Sequence, residues 1–247
     1  MNSIYLLPES SQVHVWAIWL NAPESVSRAY RGFLSPEQIA HADKFAFKNL
    51  SRSYELSQGA LRVLLSRYVG CHPRDLEFSF GPRGKPGLRG DSRVRFNMSH
   101  SGGLALFALT ANCEIGVDVE EVRSISDIER IACHFFCQAE ALELMSIPSA
   151  KIREEAFFRC WTRKEAYIKA VGDGLYAPLN KFQVTLLCDD PARFVHIDND
   201  PQAAAGWTLQ HLNPAPTYIG ALAYQASARE VAFHEPLEAQ QLLDGAH

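Results

Sequence analysis

Apolar positions along this chain follow two rhythms, and where one gives way to the other predicts the elements. Residues 13–20 (VHVWAIWL) form a continuous apolar run of the length of one buried strand. Ser35-Pro36-Glu37-Gln38 then marks a helix start: Ser caps, Pro takes the first position and Gln closes a capping box. The helical spacing predicts one helix to about residue 48 and a second over 51–69, closed by Gly70. Strand-like runs follow at 76–80, 94–98, 104–110 and 115–120, the first two separated by the Gly/Pro-rich turn 81–87. After a polar break at 111–113 the order partly repeats. The strand 115–120 leads into helices at 125–136, 138–145 and 150–170, then strands near 182–187, 194–197, 207–212 and 218–223. The pattern predicts an α+β fold of two similar halves, 1–112 and 113–236, with 237–247 as a short helix or frayed tail.

Composition narrows the function classes. An apolar content of 47% is enough for a packed core in one large or two ordinary domains. The net charge of −4 offers no basic stripe for nucleic acid. The six cysteines show neither CxxC pairs nor a disulfide framework, which points to reduced thiols and a cytoplasmic chain. Cys133, His134 and Cys137 invite a zinc site, but an aromatic helical run makes structural thiols the stronger reading. The run at 13–20 is too short for a bilayer and follows no basic segment, so neither a membrane span nor a signal peptide is expected.

Three clusters carry candidate chemistry. In Gly116-Val117-Asp118-Val119-Glu120, side chains alternate, so Asp118 and Glu120 share one strand face while the valines share the other. Paired carboxylates on a buried strand call for a cation; an exposed edge with solvated acids is the bland alternative. Farther on, the segment 157–175 (FFRCWTRKEAYIKAVGDGL) reads as an amphipathic helix closed by Gly172 and Gly174. Glu165 and Lys169, four apart, share a face of it. A surface ion pair would look the same. With Asp118 and Glu120, however, Glu165 completes three hard oxygen donors suited to magnesium and a substrate phosphate. The third cluster, 96–103 (FNMSHSGG), reads as a polar loop at a strand end, offering Ser99, His100 and glycine amides to an anion. Neighbours in an extended chain face opposite ways, so Ser99 does not have His100 as its base, and no GxSxG elbow is present. A plain Ser/Gly hairpin is the alternative. Basic residues Lys44, Lys48, Arg52 and Arg62 on the early helices, and Lys85 in the Gly/Pro turn, are surface charges singly and a polyphosphate cradle if gathered.

Taken together, RGKP (83–86), FNMSHSGG (96–103), IGVDVE (115–120), FFCQAE (135–140) and the segment 157–175 resemble, in order and spacing, the Sfp-type 4′-phosphopantetheinyl transferases. That resemblance covers most of residues 80–180. It implies two pseudo-symmetric α/β halves in one monomer, with coenzyme A and Mg²⁺ in the cleft between them. It implies transfer of the phosphopantetheine arm to a serine of an apo acyl or peptidyl carrier protein, releasing adenosine 3′,5′-bisphosphate. Carried over by position, Asp118, Glu120 and Glu165 are the metal carboxylates, with Glu165 also the candidate base. Lys169 and His100 meet the pyrophosphate, and Lys85 and Ser99 help hold the nucleotide end. Trp161 and Lys164 belong to the family signature, Lys169 being the better candidate for phosphate contact.

The first half departs from the family pattern. Where members often carry basic residues, this chain has Gln38 and His41, so Arg52, then Lys48 and Lys44, are the substitutes expected to read the coenzyme A 3′-phosphate. Two rivals remain open at this point: a magnesium nuclease, disfavoured by the acidic balance, and a non-catalytic binding module, disfavoured by the intact carboxylates and Lys169. An apolar carrier-docking surface is expected after Val122, involving Phe135, Phe136, Leu142, Leu144 and Met145 unless these are core.

Overall fold

A computed structural model of the chain describes residues 11–90, 93–172, 178–198 and 200–244. The first half starts with strand β1 (Gln12–Trp19) and helices α1 (Glu24–Arg31), α2 (Pro36–Ala42) and α3 (Lys48–Val69). The short strands β2 (Phe78–Phe80) and β3 (Pro86–Leu88) then form a ribbon, followed by β4 (Val94–Ser101) and β5 (Leu104–Ala111). The expected capping box at α2 is present: Gln38 N–H donates to Ser35 Oγ at 3.3 Å and Ser35 N–H to Gln38 Oε1 at 3.1 Å.

The second half comprises β6 (Ile115–Glu121), helices α4 (Ile128–Phe135), α5 (Gln138–Ser146) and α6 (Ala150–Val171), and strands β7 (Phe182–Val184) and β8 (Phe194–Ile197). It continues through α7 (Pro201–Ala205), β9 (Thr208–Leu212) and β10 (Tyr218–Tyr224). The chain then returns. Strand β11 (Glu230–Glu238) pairs parallel with β1, and helix α8 (Ala239–Asp244) packs beside α3. A boundary at 236 therefore falls inside a strand of the first sheet; backbone pairing with β1, Val13 to Val231 and Val15 to Phe233, draws residues 230–238 out of the second half.

Two main sheets result, ordered β11-β1-β5-β4 and β6-β10-β9, beside the two-stranded pairs β2-β3 and β7-β8. They pack face to face through Val13, Val15 and Ala17 of β1, Leu104, Leu106 and Ala108 of β5, Val117 and Val119 of β6, and Leu222 and Tyr224 of β10. The outer face of the first sheet, with Trp16, Ile18, Phe96 and Phe107, lies under α3. The outer face of the second, with Ile219, Ala221 and Ala223, lies under α6. Each sheet thus satisfies its two faces with one helix layer and one sheet layer, an α+β stack of four layers. Each buried Leu or Phe in these seams contributes about 1.5–3 kcal/mol of apolar transfer.

The placement of α6 follows from a glycine. A methyl group at Gly116 of β6 would run into the backbone of Ala166 and Ala170, so only glycine lets the helix lie this close to the strand. Along β6 the next two residues on the same face as Gly116 are Asp118 and Glu120. Around Ala166 and Ala170 on α6 stand Glu165 and Lys169. One close contact brings the two motifs together.

Candidate active site

Asp118 is the centre of this junction and is 3% exposed. Its Oδ1 accepts from Lys169 Nζ at 2.6 Å and from Ser99 Oγ at 2.7 Å, and Lys169 Nζ also donates to Ser99 Oγ at 2.9 Å. Its Oδ2 is buried with no hydrogen-bond partner. Next along the strand, Glu120 Oε2 accepts from Ser101 Oγ at 2.6 Å. Burial pushes the Glu120 carboxyl above its ordinary pKa; the Ser101 hydrogen bond works against that and the Asp118 charge adds to it. Glu165 is raised further, to about 7, first by burial and then by the Asp118 charge, with Lys169 opposing and Glu120 adding. One of the three carboxyl groups is thus paired with the ammonium, and the other two feel it only through its charge.

Ser99 and His100 lie within strand β4, which extends to Ser101, and not in a loop. The extension is stabilised by eight paired positions with β5, from Val94–Ala111 to Ser101–Leu104. Alternation then decides their roles. Asn97, Ser99 and Ser101 share the face turned to β6, where Asn97 Oδ1 also accepts from Val117 N–H at 3.0 Å. His100 points to the opposite face, as expected for a neighbour in an extended chain. Burial of its ring, then the charge of Lys169, lowers the His100 pKa and favours neutral imidazole.

Lys85 ties the two halves together. Its Nζ donates to Glu114 Oε2 at 2.6 Å and to the Ala170 carbonyl at 2.5 Å, so an ammonium from the β2–β3 ribbon caps the last turn of α6. Lys48 and Arg52 are exposed and line a recess of about 270 Å³ with Glu24, Arg28, Arg31 and Glu55; Arg52 lies 3.7 Å from Glu24. Lys85 lines a separate recess with Arg95 and Glu114, and Lys44 is exposed on neither. Gln38 is engaged by Arg62 Nε at 2.7 Å and by Gln58 at 3.2 Å.

Lys164 is buried and structural. It forms an ion pair with Glu140 at 2.9 Å, both side chains at 0% exposure, and donates to the carbonyls of Leu179 and Phe182. Glu140 also takes Val184 N–H and closes the α5 cap at Cys137. Trp161 packs on Phe157, Phe136 and Phe135. Of the apolar residues considered for docking, Leu142 and Phe135 are exposed, Met145 is half-buried, and Leu144 and Phe136 are core. Gly174, expected to close α6, lies outside the described residues; Gly172 ends the helix with φ 84°.

Sequence reasoning missed Ser101, Asn97 and Glu140. The first two were legible: strand periodicity carried three residues past Met98 puts Asn97, Ser99 and Ser101 on one face. Glu140–Lys164 had no local signal, because its partners are 24 positions apart and meet only through packing.

Among the described residues no group of three His, Cys, Asp or Glu is arranged to hold a metal ion, and the Lys169 ammonium stands at Asp118 instead. The donor chemistry nonetheless fits a hard divalent cation: only oxygens are offered, one buried carboxylate oxygen lacks any partner, and two neighbouring carboxyls are pushed toward protonation, first by burial and then by the Asp118 charge.

The profile of the 4′-phosphopantetheinyl transferase superfamily matches residues 114–223. The chain is 38% identical to the 4′-phosphopantetheinyl transferase HetI of Nostoc sp., over 87% of this chain and 88% of that one. It is 30% identical to the 4′-phosphopantetheinyl transferase Sfp of Bacillus subtilis, over 70% and 76%. Among solved structures, Thermotoga maritima holo-[acyl-carrier-protein] synthase aligns with a TM-score of 0.34 and 20% identity, over 46% of this chain and 62% of that one.

Proposed function

Since the chain belongs to the 4′-phosphopantetheinyl transferase family, we propose that its reaction is run by the Asp118–Glu120–Glu165–Lys169 cluster with a bound Mg²⁺. The enzyme moves the phosphopantetheine arm of coenzyme A to a serine hydroxyl of an apo carrier protein, giving holo carrier and adenosine 3′,5′-bisphosphate. The serine oxygen attacks the β-phosphorus of the pyrophosphate. The bond from that phosphorus to the bridging oxygen breaks, and the bisphosphate leaves with the electron pair.

Glu165 takes the serine proton in this reading. In cation-free protein burial raises this carboxyl to about 7, and a bound cation would favour its ionised form, the one that accepts a proton. Asp118, Glu120 and Glu165 would hold the cation, which when bound would supply positive charge to the pyrophosphate. Lys169, with its Nζ on Asp118 and Ser99, faces the pyrophosphate and offsets its developing charge; His100, turned to the other face of β4, is the second candidate contact for the same group. Ser99 orients Asp118 and Lys169 together. Lys85 and the exposed Arg52, Lys48 and Lys44 serve the nucleotide end, Arg52 first for the 3′-phosphate. The division of labour assigns 1–112 to the nucleotide and 113–229 to the cation, with β11 returning to brace the first sheet. No described helix is long and apolar enough to cross a membrane, and we place a monomer in the cytoplasm beside its carrier.

The observation that carries the reading is the buried Asp118 held at once by Ser99 and Lys169, next to a Glu165 raised to about 7. Mass spectrometry of an apo carrier with coenzyme A and Mg²⁺ follows the arm onto serine. Glu165→Gln is expected to slow transfer about 10²–10⁴-fold while the protein stays folded. Near wild-type turnover at saturating Mg²⁺ sinks the assignment. In the same assay, an Arg52→Gln variant that still prefers coenzyme A over its 3′-dephospho form to the wild-type degree removes Arg52 from it.

A further inference from the structure

We propose that Ser101 is a positioning residue that holds Glu120 ready for the cation; this rests on the cation site proposed above.

Strand β4 sends three alternate side chains across to β6, each to a successive feature: Asn97 to the Val117 amide, Ser99 to Asp118 and Ser101 to Glu120. The two serines are not equivalent. Ser99 shares Asp118 with the Lys169 ammonium, so two groups fix that carboxylate. Glu120 has no ion pair within 4 Å among the described residues, and Ser101 is the one described side chain that hydrogen-bonds it.

The direction of the Ser101 proton is also set. A hydroxyl has one donor and two acceptor sites. The Glu121 N–H donates to Ser101 Oγ at 3.3 Å, occupying an acceptor side, and the O–H turns to Glu120 Oε2 at 2.6 Å. The backbone of Glu120 is fixed from the other side by β10, where it pairs with Ile219. Its carboxylate is therefore held by one anchor on Oε2, and that anchor leaves Oε1 to the site. A short, charge-assisted O–H···O⁻ bond is among the stronger ones available to a side chain. Without it, Glu120 regains rotamer freedom that cation binding must then remove.

Outer partners of metal-holding carboxylates typically govern metal affinity about 10–100-fold. Ser101→Ala is accordingly expected to raise the Mg²⁺ KM of the full-length enzyme by about tenfold or more. The KM for coenzyme A should move less than twofold, and Ser101→Thr, which keeps the hydroxyl, should recover most of the Mg²⁺ KM. A second readout needs no turnover: Mn²⁺ binding followed by electron paramagnetic resonance, without carrier, should weaken in parallel. If Ser101→Ala lowers Tm and kcat while both Mg²⁺ KM and Mn²⁺ affinity stay at wild type, Ser101 is only an inter-sheet tie and the proposal is overturned. Glu120→Gln in the same titrations separates the two levels. If it leaves the cation requirement unchanged, the cation site fails and takes the proposal with it. If Glu120→Gln weakens cation binding and Ser101→Ala does not, only the role of Ser101 falls.

Discussion

Helices α3 and α6 are each 22 residues long, each covers the outer face of a sheet, and each ends on a left-handed glycine, Gly70 with φ 75° and Gly172 with φ 84°. What they lie against differs. Under α3 the first sheet presents Trp16, Ile18, Phe96 and Phe107, and the close-contact glycine, Gly59, sits in the helix itself against Tyr30 of α1. Under α6 the glycine sits in the strand, at Gly116, and the same strand face continues as Asp118 and Glu120. The scaffold of the two halves is alike, and chemistry appears where an apolar strand face is replaced by a small residue followed by two acids. One buried cation from each helix shows a further difference in partners. Arg62 of α3 donates only to neutral oxygens, those of Gln38, Pro73 and Leu76, whereas Lys164 of α6 meets the Glu140 carboxylate.

That contrast in partners predicts the largest stability difference. Lys164→Met leaves Glu140 charged at 0% exposure and is expected to cost roughly 3–5 kcal/mol. Arg62→Met leaves neutral acceptors unsatisfied, at roughly 1–3 kcal/mol. Urea unfolding of the two variants checks the order, and equal losses would break the distinction drawn between the helices. Adding Glu140→Leu to Lys164→Met should return part of the loss, since the stranded charge is gone.

The two glycines sharpen it further. Gly116→Ala and Gly59→Ala each force a methyl into packed atoms and should cost about 1–3 kcal/mol. Only Gly116→Ala displaces the backbone at Ala166 and Ala170, and with it Glu165 and Lys169. Transfer rates on folded protein should fall at least tenfold for Gly116→Ala and stay within about threefold for Gly59→Ala, as expected when misplacement near one ångström alone separates them. Comparable activity in the two variants would detach the site from the strand–helix contact.

How much of this the sequence disclosed depends on whether a partner is local. The long helices, the cap at Ser35 and the shared face of Asp118 and Glu120 all follow from spacing along one element, and all are present. Helix α1 (ESVSRAYR) was not legible, being short and polar and held by Tyr30 docking to the Ala239 carbonyl. Strand β11 was hidden for a related reason: it is a half-exposed edge strand containing Pro236, and what makes it a strand is β1, more than two hundred residues earlier. Lys85 carries the same lesson at the level of a side chain. The family resemblance implied a nucleotide contact, and the lysine's bonds to Glu114 and to the end of α6 in the other half had no local signal. The end of β4 was misread because Gly102-Gly103 looks like the start of a loop, whereas the pairing with β5 runs up to that turn.

The smallest effect tests the electrostatic side of the comparison, since α3 has no carboxyl like Glu165. In protein free of divalent cation, Glu165 has a folded pKa of about 7, above its value of 4.5 when unperturbed. A raised carboxyl pKa means that the folded state holds the proton more tightly than the unfolded chain does. The contribution to stability is complete below pH 4.5 and is lost as pH rises through about 7. With allowance for solvent screening of a half-buried group, the amount is on the order of 1–2 kcal/mol. Metal-free enzyme should therefore lose Tm between about pH 4.5 and 7 and level off above that, and Glu165→Gln, which carries no titrating carboxyl, should flatten that slope. Saturating Mg²⁺ should flatten it too, because a cation among Asp118, Glu120 and Glu165 favours the ionised form that burial opposes. A slope that survives in Glu165→Gln would place the titration elsewhere. A slope that Glu165→Gln removes and Mg²⁺ leaves untouched would keep the carboxyl cluster and dismiss its cation.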